Sequence, residues 1–276
     1  MLTLYHGATS VCAAKVRITL AEKGKRKGAD WDGPLLDLHK GDQFDPAYLK
    51  LNPNAVVPTL VDGDRVVIES TVINEYLDDI FPEPRLSPAE PYGRARMRLW
   101  TRQEESVHEE INTLTIALIF RPGELARPEA EREARLAKRP DPDKRAKWRE
   151  LLDKGGESPL VDKALRRFVR LFAEMDRALA GGPWLLGDEY SLADIGMTAY
   201  IDRLGQLQFE GLWASFPRVG DWLARVRARP SFAEAVGAYT SAERLATMRE
   251  AGAAAWPELA PKVAALLGER PATAAA

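Results

Sequence analysis

Two stretches of the chain put a hydroxyl or thiol at the start of a helix, where anions are stabilised. The first is Thr9-Ser10-Val11-Cys12-Ala13-Ala14-Lys15-Val16-Arg17. Ala13, Val16 and Leu20 form one stripe and Ala14, Ile18 and Ala21 its neighbour, which predicts a helix from Val11 to Lys23 with Gly24 as its stop. A thiol is held as thiolate near neutral pH by a donor to its sulfur and by the positive end of a helix. Ser10 and Cys12 lie where both devices are at hand. By residue type alone, Ser10 reads equally as an ordinary N-cap and Cys12 as a small buried hydrophobe. The second stretch runs from Val56 to Leu77. Two β-branched runs flank Asp62-Gly63, a hairpin-turn pair. Ile73, Tyr76, Leu77 and Ile80 then follow Glu69-Ser70-Thr71 at helical spacing, which predicts a helix with Ser70 as N-cap. The backbone N–H groups at such a start form a carboxylate site. A hairpin followed by an ordinary capped helix is the plain alternative.

The elements that must hold these stretches follow from the patterning around them. Residues 2 to 5 and Gly33 to Leu38 are predicted strands, and Pro46 to Leu51 a short helix ended by Asn52-Pro53-Asn54. The predicted order is β-α-β-α-β-β-α around a mixed sheet of four strands. Pro82, Pro84, Pro88 and Pro91 form a stiff linker, which puts a domain of residues 1–80 before a linker of 81–92 and an all-helical domain of 93–276. A long helix is expected from Arg94 to about Phe120, carrying Thr101 and His108. The Arg-, Glu- and Pro-rich segment 122–156 reads as a solvated excursion. Ser158-Pro159 starts a further helix whose stripe is Val161, Leu165, Phe168, Phe172, Met175 and Leu179, a core pattern. Ser191-Leu192-Ala193-Asp194 is a capping box. The Ala-rich tail keeps helical runs and is expected to fray after Pro271.

Composition removes several function classes. A chain of 276 residues, 45% hydrophobic and 29% charged with a net charge of −2, carries no electrostatic footprint for nucleic acid or an anionic membrane. One cysteine leaves no intramolecular disulfide, and three histidines without ligand spacing argue against a metal. With no signal sequence and no membrane-length apolar run, a reducing cytoplasm is the expected location.

Val57-Pro58, followed about a dozen residues later by Glu69-Ser70, resembles the glutathione-binding half of the glutathione transferase superfamily. The resemblance implies a thioredoxin-like N-terminal domain, an all-α C-terminal domain and glutathione as cosubstrate. It implies that the Val57-Pro58 bond is cis and that backbone beside it pairs with the cysteinyl part of glutathione. Glu69 and Ser70 would take the γ-glutamyl end, Gln43 or Lys40 the glycyl carboxylate, and Ser10 would donate to the sulfur. Ser-x-Cys at residues 10–12 resembles zeta-type transferases and glutathione-dependent reductive dehalogenases, and Cys12 also aligns with the cysteine of beta-class bacterial members. His6, Thr101 and His108 are the second-substrate candidates. Residues 68–83 and 95–101 are similar to bacterial β-aryl etherases of the same superfamily. The resemblance thus implies a transferase whose glutathione thiolate attacks an electrophilic carbon of an aromatic substrate, with β-aryl ether cleavage as one form of that reaction. A homodimer is expected. Two alternatives stand beside it: a reductive dehalogenase working through Cys12, and a non-catalytic interaction module. The joint presence of Ser10, Pro58, Glu69 and Ser70 argues against the module.

Overall fold

A computed structural model describes residues 1–268. Strands β1 (Leu2–Tyr5), β2 (Trp31–Asp32), β3 (Thr59–Asp62) and β4 (Arg65–Ile68) form one sheet in the order β2-β1-β3-β4. β1 runs parallel to β2 and antiparallel to β3, and β3 pairs antiparallel with β4. Helix α1 (Val11–Glu22) supplies the crossover from β1 to β2, α2 (Pro46–Leu51) precedes β3, and α3 (Ser70–Ile80) follows β4. The expected β-α-β-α-β-β-α order and mixed sheet are both present. Leu2, Leu4, Val16, Leu20, Trp31, Leu60, Ile73 and Leu77 close one core cluster. Burial of such side chains stabilises the folded state by about 1.5–3 kcal/mol each.

The structure departs from the sequence pattern at three places. The second strand is not Gly33 to Leu38. It occupies Trp31–Asp32, and only Leu35 bridges back to His6. Gly33 lies so close to β1 that a Cβ there would meet the Leu4 carbonyl oxygen at 2.1 Å, and Pro34 has no N–H for a ladder. The hairpin turns at Gly63-Asp64, one residue later than expected, because Asp62 still pairs with Arg65 and Gly63 takes a φ of 63°. Ser70 is the first helical residue of α3 and not its N-cap. That place belongs to Glu69, whose side chain caps nothing.

Beyond the sheet the chain is helical: α4 (Pro91–Thr115), a π-helical turn (Ile116–Phe120), α5 (Arg121–Leu125), α6 (Glu129–Ala137), α7 (Pro142–Lys154), α8 (Pro159–Ala178), α9 (Leu192–Gln206), α10 (Pro217–Arg227), α11 (Pro230–Ala235) and α12 (Ala242–Gly268). The charged excursion is α5 to α7. The fraying expected after Pro271 lies outside the described residues. Two compact units result. One comprises Met1–Glu105, Gly182–Ile201 and Leu223–Ser241; the other comprises Ser106–Gly181, Asp202–Trp222 and the described residues from Ala242 to Gly268.

In the second unit the predicted stripe of α8 is fully buried, with Phe172 edge-on to Trp213 at 5.5 Å. Gly252 and Gly211 permit close packing there; a Cβ at 252 would strike the Leu207 carbonyl oxygen, and one at 211 the Trp256 ring. In the first unit the capping box is made as the sequence implies. Asp194 accepts from the backbone N–H groups of Leu185 and Ser191, and the Ser191 hydroxyl accepts from Ala193 N–H. Among the described residues no helix is long and apolar enough to cross a membrane, and no cluster of three or more candidate ligands could hold a metal ion.

Candidate functional site

Ser10 ends the loop after β1 and caps α1: its Oγ accepts from Ala13 N–H at 3.1 Å. A hydroxyl oxygen that accepts from the helix still has its own proton to donate, so capping and thiol orientation are compatible in one residue. Ser10 is partly exposed, as is Cys12 in the first turn. Cys12 Sγ lies 3.8 Å from the hydroxyl of Tyr200 on α9. Burial, then the neighbouring Cys12 and Glu104, push the Tyr200 hydroxyl well above its usual value, so it stays protonated and can donate to the sulfur.

The Val57–Pro58 bond is cis, and Val57 and Pro58 are both buried immediately before β3. The loop is pinned from behind. Asn52 Nδ2 donates to the Val56 carbonyl at 3.0 Å and to Thr59 Oγ1 at 3.1 Å, while Tyr48 Oη bonds to both the Val56 carbonyl and, at 2.9 Å, Thr59 Oγ1. Sequence reasoning missed Tyr48, Asn52 and Thr59 as site supports. The only signal available was the Asn-Pro-Asn stop after α2.

At the start of α3, Glu69 holds φ 67° and ψ 113°, a region a non-glycine residue occupies only where its surroundings require it. The turn leaves the first N–H groups of α3 without a side-chain cap, with Ser70 at their head. These N–H groups and the Ser70 hydroxyl suit a carboxylate. Gln43 is buried in a short 3₁₀ turn (Asp42–Phe44), and its Oε1 has no hydrogen-bond partner among the described residues. A ligand ammonium or N–H would satisfy that oxygen, whereas a carboxylate would have to use the Nε2 side. Lys40 is exposed and pairs loosely with Asp37 at 3.8 Å.

The second-substrate candidates are placed differently. His6 has no exposed surface; Arg17 donates to its Nδ1 at 3.3 Å, and Trp31 and Tyr239 stand edge-on to its ring. Burial, then Arg17 and Lys27, drive its pKa down to about 3, so it is a neutral buried packing group. Thr101 is buried, its Oγ1 turned to the Arg98 carbonyl. His108 belongs to the second unit, where its Nε2 pairs with Asn112 at 2.8 Å.

Behind the two helix starts lies a buried polar cluster that the sequence did not announce. Lys15, three residues after Cys12, forms an ion pair with Glu104 of α4, and both are almost fully buried. Thr71 Oγ1, next to Ser70, donates to the same carboxylate at 2.9 Å. The Lys15 ammonium lies 5.1 Å from the centre of the Tyr200 ring.

Comparison with known proteins names this arrangement. The profile described as "Glutathione S-transferase, N-terminal domain" matches residues 4–85, and "Glutathione S-transferase, C-terminal domain" matches residues 133–225. Protein LigF of Sphingobium sp. (strain NBRC 103272 / SYK-6) is 32% identical over 248 residues, which cover 84% of this chain and 92% of LigF. The chain belongs to the glutathione S-transferase family. It has the fold of that family, a small mixed-sheet domain followed by a helical one, and is an enzyme with glutathione as cosubstrate. Tetrachloro-p-hydroquinone reductive dehalogenase of Sphingobium chlorophenolicum is 28% identical, over 84% of this transferase and 94% of the dehalogenase. The crystal structure of beta-etherase LigF from Sphingobium sp. strain SYK-6 superposes with a TM-score of 0.76 at 31% identity, over 86% of this chain and 99% of LigF. A theta class glutathione S-transferase from Xanthomonas axonopodis pv. citri, solved with glutathione bound, superposes with a TM-score of 0.59 at 27% identity, over 85% of this chain and 96% of its own.

Proposed function

We propose that this transferase is a glutathione-dependent β-aryl etherase. The likeness to LigF along nearly the whole chain, in sequence and in backbone, is the observation that carries the reading. In the proposed site, Ser70 and the uncapped N–H groups of α3 hold the γ-glutamyl carboxylate, with Glu69 beside them, and backbone at cis-Pro58 pairs with the cysteinyl unit. Gln43, and at longer range Lys40, serve the glycyl end. Ser10 donates a hydrogen bond from its hydroxyl to the glutathione sulfur at the positive end of α1, which favours the thiolate, the thiol proton passing to water.

The thiolate attacks the carbon that carries the phenoxy group, beside a ketone. A carbon–sulfur bond forms, the carbon–oxygen bond breaks, and the electron pair leaves with phenoxide, which takes a proton from water. The carbonyl activates that carbon, so the enzyme supplies mainly the thiolate and its alignment. A two-ring aromatic ether is the proposed substrate class and a homodimer the proposed assembly. His6 and Thr101 are omitted from the reacting set because both are buried among their own partners.

Cys12 favours a second reading. Its partial exposure, its Tyr200 partner and the likeness to the dehalogenase fit a resolving thiol. In that reaction an aryl–glutathione adduct reacts at its sulfur with the Cys12 thiolate. The aryl carbanion leaves and is protonated, a Cys12–glutathione disulfide remains, and a second glutathione reduces it to release glutathione disulfide. The deciding assay follows phenol release from a β-aryl ether ketone with and without glutathione, beside conjugation of a chloronitrobenzene. Glutathione-dependent phenol release that is lost in Ser10→Ala and kept in Cys12→Ala is the expected result. Conjugation without phenol release would reject the etherase, and a glutathione adduct on Cys12 after turnover of a halogenated hydroquinone would favour the dehalogenase.

A further inference from the structure

We propose that Glu104, through Thr71 and Lys15, is a positioning residue that fixes the spacing between the two helix starts of the glutathione site. The inference rests on the glutathione reading of Ser10 and Ser70. The Glu104 carboxylate is 2% exposed and accepts from two side chains on two different helices: Lys15 Nζ from α1 and Thr71 Oγ1, at 2.9 Å, from the first turn of α3. Thr71 adjoins Ser70, and Lys15 lies one turn beyond Cys12 on the helix that Ser10 caps. One carboxylate therefore ties the thiol end of the site to the γ-glutamyl end.

The surrounding structure is shaped to hold it. Gly196 sits inside α9, where glycine is a poor helix former, and a Cβ there would fall 2.0 Å from Glu104 Oε1. A buried carboxylate with an ammonium and a hydroxyl as partners has little freedom to move, because losing the ammonium would leave a charge unpaired and losing the hydroxyl would leave a buried acceptor unfilled in a low-dielectric interior. Tyr200 extends the cluster to the sulfur side, its ring 5.1 Å from the Lys15 ammonium and its hydroxyl 3.8 Å from Cys12. None of these side chains has to touch glutathione. Their role is to set where the groups that do touch it stand, and a misplacement of about 1 Å can cost two orders of magnitude in rate.

The cleanest test removes the Thr71 hydroxyl and leaves the ion pair intact. Conjugation of a chloronitrobenzene is followed well below the melting temperature, with glutathione affinity measured by calorimetry. In Thr71→Val the KM and Kd for glutathione should rise about tenfold, because Ser70 is no longer held against the Glu104 anchor, with a smaller change in kcat. Thr71→Ser should restore both. Lys15→Met combined with Glu104→Leu removes both charges together, a change that buried ion pairs often tolerate, and should raise KM and lower kcat while the protein still melts cooperatively. A cluster that only supports the fold would lower the melting temperature and leave KM where it was. Unchanged KM in folded Thr71→Val, or an equal rise in Thr71→Ser, overturns the positioning role while wild-type binding of glutathione stands. Absence of glutathione binding by the wild type overturns the underlying reading and this one together.

Discussion

At the residue scale, Ser70 and Ser10 divide the expected work between the two ends of one tripeptide. Ser70 stands first in α3, with N–H groups that no side chain caps. A hydroxyl donating to a carboxylate there contributes about 1.5–3 kcal/mol, so Ser70→Ala should weaken glutathione binding by at least tenfold in a protein that melts normally. Calorimetry showing an unaltered Kd would remove the carboxylate from this position. Ser10, Pro58 and Ser70 were legible in the sequence because each marks a local device: a cap, a turn before a strand, a helix start. The groups behind them were not. Tyr200 reaches Cys12 across 188 residues of chain and Glu104 reaches Lys15 across 89, so no local pattern announces either contact. His6 misled for a related reason. A histidine in a loop after a strand suggests a reactive group, but the fold closes Trp31, Arg17 and Tyr239 around it.

At the element scale, periodicity marked the helices well, and backbone constraints accounted for most of the errors. The α8 stripe and the Ser191–Asp194 box were readable because their spacing is the helix's own. The apolar pattern sets the second strand two residues late, since it continues past the point where Gly33 packs on Leu4 and Pro34 interrupts pairing. Residue types set the cap of α3 one residue late, because the decisive fact is the φ of 67° at Glu69, which no composition rule supplies. Gly196 is the case where helix propensity and packing make opposite predictions. Gly to Ala in an open helix stabilises by up to about 1 kcal/mol. Here the added methyl would overlap Glu104 Oε1, and forcing an atom into a packed interior typically costs ~1–3 kcal/mol. Gly196→Ala should therefore lower the melting temperature and weaken glutathione binding. A melting temperature that rises would show that Glu104 moves aside without cost, and that the cluster is looser than its geometry.

At the scale of the molecule, the family was legible from a few motifs because they constrain the backbone, at cis-Pro58 and at the Glu69 turn before α3. The identity of the second substrate was not, since the residues expected to meet it have no comparable spacing rule. Acid stability is a property of the whole fold that one buried group can dominate. The His6 ring is neutral in the folded protein, its pKa driven down to about 3 by burial and by the cations of Arg17 and Lys27, with Asp32 opposing and the Tyr239 ring packed beside it. In the unfolded chain the same imidazole titrates near 6.5. Between those values the unfolded state binds a proton that the folded state refuses, so stability falls as pH falls, by up to ~1.4 kcal/mol per pH unit. Carboxylates also titrate in the lower part of this window, and a comparison with His6→Gln subtracts them. That variant loses the acceptor for Arg17 and should be less stable than wild type at pH 7. Its deficit should then shrink by ~2 kcal/mol on going from pH 6.5 to 4.5, because glutamine has no proton to take up on unfolding. Urea melts of both proteins across that range provide the check. A deficit that stays constant with pH would mean that His6 is protonated in the folded state and that Arg17 has turned away from it.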